Sequence, residues 1–149
     1  MDLSGKKDKP MKNLKLLVLL ACLSLGSNAI AQDYEKIIKT YFSGWVKKDW
    51  SIVSSQLAEG FTFTSAAPDD HISVTKFKEK CWVQADHIKR FDFVKIAGDS
   101  KEAFAIVHVI TNDDKVIRNI EYFNFENGKI KSIEVFFGGS GSGFPTNAK

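Results

Sequence analysis

Three polar side chains fall inside apolar segments of this sequence. His108, Asn119 and Glu121 belong to segments near residues 102–112 and 115–126, which read as consecutive strands because the tract Asn112 to Asp114 between them tolerates a tight turn. A turn centred on Asp113 and Asp114 sets Asn119 opposite His108 and Glu121 opposite Ile106, on one face with Phe104, Phe123 and Phe125. A few polar groups converging in an aromatic wall are the usual make-up of a small-molecule pocket. A carboxylate is costly to bury as an ion, so Glu121 either pairs with a protonated His108 or stays neutral and donates a hydrogen bond. The chemistry within reach is proton transfer, with His108 as base and Glu121 as acid. A structural role, in which the three groups satisfy one another or the backbone, accounts for the same residues. A one-residue slip of the hairpin would turn His108 to the other face and leave Glu121 in place.

Other candidates read as structural. Asp69, Asp70 and His71 form a polar loop that rims the pocket or simply turns in solvent, and His87 follows Asp86 at a helix end, where an imidazole meets terminal carbonyls. Glu134 would join Glu121 across a two-residue turn at Asn127 and Gly128. A bulged three-residue turn instead sends Ile133, Val135 and Phe137 inward, and is favoured because it keeps the apolar set together. Cys81 lies on the apolar face of a helix and reads as a small buried hydrophobe. No His and Cys spacing suggests a metal, and no glycine-rich phosphate loop or GxSxG elbow is present, so neither metal nor cofactor is expected.

The elements that position these groups follow from periodicity. Tyr34, Ile37, Ile38, Tyr41, Phe42, Trp45 and Val46 recur at helical spacing. Asp49 caps a short second helix with Trp50, Val53 and Leu57 on one face, ended by Gly60. A strand over Phe61 to Ala66 precedes a third helix, capped by Ser73, with Val74, Phe77, Cys81, Ala85 and Ile88 inward. Strands near 91–97, 102–112, 115–126 and 129–137 complete the pattern. Helices first and an antiparallel sheet afterwards give an α+β fold in which N-terminal helices pack on a curved sheet. The strand at 102–112 is apolar on both faces, which points to a homodimer through the face bearing Val107, Val109, Ile120 and Tyr122.

Residues 1–10 read as a leader or upstream start. Residues 11–31, with Lys12 and Lys15, an apolar run from Leu16 to Leu25, and small residues at Ala29 and Ala31, read as a signal peptide. The tract Leu19 to Cys22 resembles a lipoprotein box, but apolar sequence continues past the cysteine, so plain cleavage after Ala31 is the expectation, with no membrane anchor unless Cys22 is lipidated. Export to the periplasm or the medium follows. Removing residues 1–31 from the 149-residue chain leaves 118, enough for one core, and takes away five of the 21 Lys and Arg and two of the 18 Asp and Glu. The remainder carries no net charge, which excludes the basic surface that nucleic acid requires. Residues 32–138 form the domain, and 139–149 a flexible Gly/Ser-rich tail.

The segments YFSGWVKKDW, LAEGFTFT and EYFNFENGKIKSIEVFFG, in this order, resemble the nuclear transport factor 2-like superfamily and its SnoaL-like branch over Asp33 to about Gly138. The resemblance implies a cone-shaped, usually dimeric domain enclosing a deep apolar pocket. Set against ketosteroid isomerase, it places the first-helix tyrosine at Tyr41 and the oxyanion-hole acid at Glu121. It puts Ser65 where that enzyme carries its general base, and a serine hydroxyl cannot abstract a carbon-bound proton unaided. The expected lining comprises Tyr41, Trp45, Phe63 and Trp82, together with Phe104, Asn119, Phe123 and Phe137. The expected function is binding of a small apolar, oxygen-bearing molecule. The alternatives are an acid-base isomerase, dehydratase or cyclase using His108, Glu121 and Tyr41, and a dimeric assembly module with a vestigial pocket.

Overall fold

Helix α1, residues 34–47, buries Ile38, Tyr41, Phe42 and Trp45 along one stripe, as its periodicity dictates. The computed structural model describes residues 34–65 and 69–137, so the leader, the signal segment with Cys22 and the Gly/Ser tail lie outside the described residues. Gly44 lets α2 (Trp50–Ser55) approach closely, since a Cβ there would stand 2.6 Å from Val53 Cγ2. Asp49 caps α2 by accepting from the Ser51 N–H at 2.9 Å.

The expected extension of α2 to Leu57 does not occur. Strand β1, Leu57–Thr64, begins directly after the cap at Gln56, and Leu57 pairs with Ile130. Trp50, Val53 and Leu57 fit a helical spacing, but Leu57 is buried equally well as the first strand residue, and pairing satisfies its backbone as well. Gly60, at φ +66°, sits in the register shift between Leu57 and Thr62 rather than at a helix end.

Strand β2 (Ile72–Ser73) leads into α3 (Val74–Cys81), whose N-terminus is capped by Ser73 accepting from the Lys76 N–H. A 3-10 helix, Trp82–His87, replaces the expected last turns of α3. Ile88 already belongs to β3 (Ile88–Gly98), and Val74 is 37% exposed rather than inward. Strands β4 (Glu102–Thr111), β5 (Val116–Glu126) and β6 (Lys129–Phe137) follow. The six strands lie in the order β2-β1-β6-β5-β4-β3, antiparallel except for the parallel pair β1 and β6. The architecture is α+β, helices on an open mixed sheet, and among the described residues no helix is long and apolar enough to cross a membrane.

Two turns set which residues face the helices. Between β4 and β5 the loop is three residues, Asn112 to Asp114, with Asp114 at φ +59° and its N–H donating to the Thr111 carbonyl at 3.0 Å. That extra residue shifts the register by one from a turn centred on Asp113 and Asp114, so His108 pairs with Arg118, Val107 with Asn119 and Ala105 with Glu121. The face toward the helices therefore carries Ala103, Ala105, Val107, Asn119, Glu121 and Phe123, all buried. Phe104, Ile106, His108, Ile120 and Tyr122 share the other face, where Phe104 is 39% and Ile120 43% exposed. Val107 and Val109 are consequently interior, and the expected dimer face loses them.

Between β5 and β6 the turn is the two-residue one, Asn127 at φ +52° and Gly128 at φ +71°, flanked by the pair Glu126 and Lys129. A register shift at Asn124 and Phe125 then supplies the bulge one step along the ladder. Ile133 and Val135 point inward as expected, by a different device, and Glu134 lies on the outer face opposite Tyr122.

Candidate functional site

A cavity of about 360 Å³ lies between α1, α3 with its 3-10 extension, and the inner face of β3 to β6. Tyr41 and Trp45 stand one helical turn apart on α1, and Asn119 and Glu121 are alternate residues of β5, so each pair presents two polar atoms to the same space. These four side chains are at most 7% exposed and form the deep end. Phe42, Phe63, Phe77 and Phe91 supply aromatic wall. Lys80, Gln84 and His87 are solvent-exposed and define the mouth.

Burial pushes the Glu121 carboxyl up from its ordinary 4.5 to about 8, an effect that the neighbouring Asn119 amide partly offsets. At neutral pH the group is a protonated acid, able to donate as well as accept. Burial also raises the Tyr41 phenol well above its ordinary value, and a negative charge on Glu121 would raise it further; the nearby Trp45 indole lessens the rise. Trp45 Nε1 and Asn119 Oδ1 nevertheless have no partner of hydrogen-bond geometry among the described residues. Nearer the mouth, Asp69 and Lys80 form an ion pair at 2.5 Å, which raises the lysine. The Cys81 thiol is pushed up to about 11, by burial first and then by the charge of Asp69, and so stays protonated and a poor nucleophile.

No family model matches the sequence, and no curated protein matches it. Solved structures do. A nuclear transport factor 2-like protein of unknown function from Burkholderia xenovorans LB400 superposes with a TM-score of 0.61 at 11% identity, over 80% of this chain and 90% of that one. A candidate ketosteroid isomerase from Kribbella flavida DSM 17836 gives 0.61 at 12% identity over 79% and 87%. A candidate SnoaL-like polyketide cyclase from Jannaschia sp. CCS1 gives 0.60 at 6% identity over 72% and 87%. The chain has the nuclear transport factor 2-like fold. At these identities the likeness concerns the fold, and function must be argued from the site.

Within the nuclear transport factor 2-like fold, the cavity brings together Tyr41, Trp45, Phe63, Asn119 and Glu121. Ser65, which stands where the resemblance expects a catalytic base, lines it too. His108 does not join them. The three-residue loop places it on the outer face, opposite Arg118 and Asp92, and Phe104 is carried to that face with it. Phe123 is fully buried in the core, its ring 6.1 Å from that of Tyr41, and Trp82 packs against Trp45 at 5.0 Å and Trp50 at 5.3 Å; neither lines the cavity. Phe137 ends β6 opposite Asn119, and its side chain lies outside the described residues.

Of the polar loop, Asp69 reaches the cavity, while Asp70 and His71 are exposed and pair with each other at 2.5 Å. His87, expected at a helix end, closes the 3-10 helix and also stands at the mouth of the cavity. Its backbone carbonyl does accept from the Asn112 N–H at 2.9 Å, tying the 3-10 helix to the β4–β5 loop. No sequence pattern announces a histidine at a pocket mouth, because its place there depends on the docking of that short helix.

Proposed function

We propose that this domain binds a small, apolar, oxygen-bearing molecule in the cavity under α1, without turning it over. The supporting observation is Glu121, a carboxyl held protonated by burial in an aromatic-walled cavity, where it can donate to a ligand oxygen. A cavity of about 360 Å³ exceeds an ordinary packing defect and weighs against a vestigial pocket. Catalysis lacks a base at the deep end. The ionisable groups beside Glu121 and Tyr41 are an ion-paired Asp69 and Lys80, a thiol raised to about 11, and His87 at the mouth.

Substitution of Glu121 tests the proposal. Glu121→Gln keeps a donor and should retain the small molecule that co-purifies with the native protein, identified by mass spectrometry, whereas Glu121→Leu should lose it. Equal retention in both variants would remove Glu121 from the site. The second reading, acid-base catalysis, is favoured by His87 sharing the cavity with a protonated Glu121. It requires that turnover of that molecule vanish in His87→Ala and in Glu121→Gln.

The outer sheet face suits a second copy of the chain. Ile106, Ile120 and Phe136 form a cross-strand apolar row. Arg118 lies toward one end of it, beside the ion pair of Arg90 with Asp92, and Glu102 and Glu134 lie toward the other, so a two-fold axis perpendicular to the strands sets Arg118 toward the acidic end of the second copy. The domain is proposed to act outside the cytoplasm, starting at Gln32 after cleavage of the signal segment. N-terminal sequencing of the exported protein checks this, and a start at a lipid-modified Cys22 or a retained Met11 would contradict it.

A further inference from the structure

The chain enters and leaves the described domain at opposite ends of β5. Tyr34 opens α1 beside Phe125, their rings 6.4 Å apart, near the turn from β5 into β6. Phe137 closes β6 opposite Asn119, two residues past Val135, and both Asn119 and Val135 line the cavity. The next inward residue of β5 is Ile117, again a lining residue, and among the described residues no β6 partner reaches it. On the other side of β6, the pairing of Thr64 with Glu134 leads directly to Ser65, which lines the cavity as well. The chain therefore departs from the sheet between Ser65 and Ile117, at the cavity's edge. Apolar surface is left open there, because Ile88, Phe91 and Ile117 line the cavity and are only half-buried.

We infer that Phe144, on the tract that follows β6, is a tethered occupant of this mouth, so that the chain limits access to its own cavity. The inference rests on the binding reading above and adds to it a competitor carried by the same chain. Gly138 to Gly143 are six residues of Gly and Ser alone, and Phe144 and Pro145 come next. A Gly/Ser tract of this length spans roughly 12–15 Å root-mean-square and presents its end at an effective concentration on the order of millimolar. Phe144 is the one aromatic residue of 138–149, and half-open apolar side chains at the mouth give its ring a place out of water. Pro145 biases Phe144 toward extended backbone and brings no N–H that would need a partner inside. The other apolar tract outside the described residues, Leu16 to Leu25, precedes α1 and so joins the domain at the Tyr34 end, away from the mouth. A cavity of about 150 Å³ suffices for a benzene ring, so in one of about 360 Å³ Phe144 closes the mouth and leaves the deep end at Glu121 free.

Cys81 lines the cavity and reports on access to it. Labelling of Cys81 by N-ethylmaleimide at pH 8, read by mass spectrometry of the peptide that contains it, should run roughly threefold to tenfold faster in Phe144→Ser than in the native mature protein, with Phe144→Leu between the two. Amide exchange of β4 and β5 should be the same in all three proteins, and faster exchange in Phe144→Ser would trace the gain to a loosened sheet and overturn the inference. Equal labelling rates would overturn it too, while leaving the binding reading to the Glu121 variants, whose retention of a small molecule does not depend on residue 144. Protection of the native protein that fades on dilution by about a hundredfold would make the tract of a second copy the occupant and overturn the tethering.

Discussion

On its inner face β4 carries Ala103, Ala105 and Val107, each at most 2% exposed, while on its outer face the same strand carries Phe104, Ile106 and His108. The inner three pack into the core, and the cavity opens farther along the same face, where Val109 lines it together with Asn119 and Glu121 of β5 and Tyr41 and Trp45 of α1. Large side chains outside give an apolar surface, with Phe104 39% and Ile120 43% exposed. Both faces are apolar, and what packs against them makes one a pocket wall and the other a candidate contact surface. Hydrophobic content alone therefore does not distinguish a ligand wall from an interface.

The largest test of this contrast is the loop that sets it. Replacing Asp113 with Asn and Asp114 with Gly supplies a strong two-residue turn closed by Asn112 and Lys115, which favours the register that sets His108 opposite Asn119, brings Phe104, Ile106 and His108 inward and expels Val107. Loss of a cooperative urea transition is expected, and a variant that unfolds as the native chain does would show that the loop does not fix the faces. Next in size is the core beneath the cavity. Phe123→Ala should cost about 3–5 kcal/mol in urea unfolding, whereas Phe104→Ala, on the outer face of the same hairpin, should cost under about 1 kcal/mol when measured on monomer. Equal costs would erase the distinction between the faces.

A smaller effect should separate surface from pocket. Ile120→Glu should raise the dimer dissociation constant at least about tenfold by light scattering while leaving ligand affinity unchanged. A native protein that is monomeric at tens of micromolar would contradict the proposed interface. Smaller again is the pH dependence. Because the folded chain holds the Glu121 proton up to about 8 and the unfolded chain releases it near 4.5, the folded state binds more protons between those values. Stability from this group is complete below about 4.5 and is lost as pH rises through about 8. Glu121→Gln should flatten that decline in urea midpoints measured from pH 5 to 9, and an unchanged slope would assign it elsewhere.

Asn119 and Glu121 face the cavity even though the pairing expected for them was wrong by one residue. Their side of β5 follows from its own alternation with Phe123, and no turn length alters it. His108 was placed through its partner strand, and β4, apolar on both faces, had no pattern to resist a one-residue error. The caps at Asp49 and Ser73 were readable because side-chain oxygens at a helix start are a local requirement, whereas at Asn127 and Gly128 the place of the turn was readable but its length was not: the expected three-residue bulged turn is a two-residue one with the bulge at Asn124 and Phe125. Leu57 was not, since three apolar residues at helical spacing also suit a helix followed by a strand, and the choice is made by Ile130 across the sheet. His87, Lys80 and Gln84 reach the mouth through the docking of a short 3-10 helix that leaves no periodic trace.

The central claim, that Glu121 is a protonated acid at the deep end of a ligand cavity, is open to direct titration. In protein labelled with carbon-13 at the glutamate side-chain carboxyl, the resonance absent from Glu121→Gln belongs to Glu121, and its shift can be followed from pH 3 to 10. The account predicts a midpoint near 8, with no change of the signal between pH 4 and 6. A midpoint near the ordinary 4.5 would mean that Glu121 is ionised and hydrated at neutral pH, and the donor role assigned to it would be wrong.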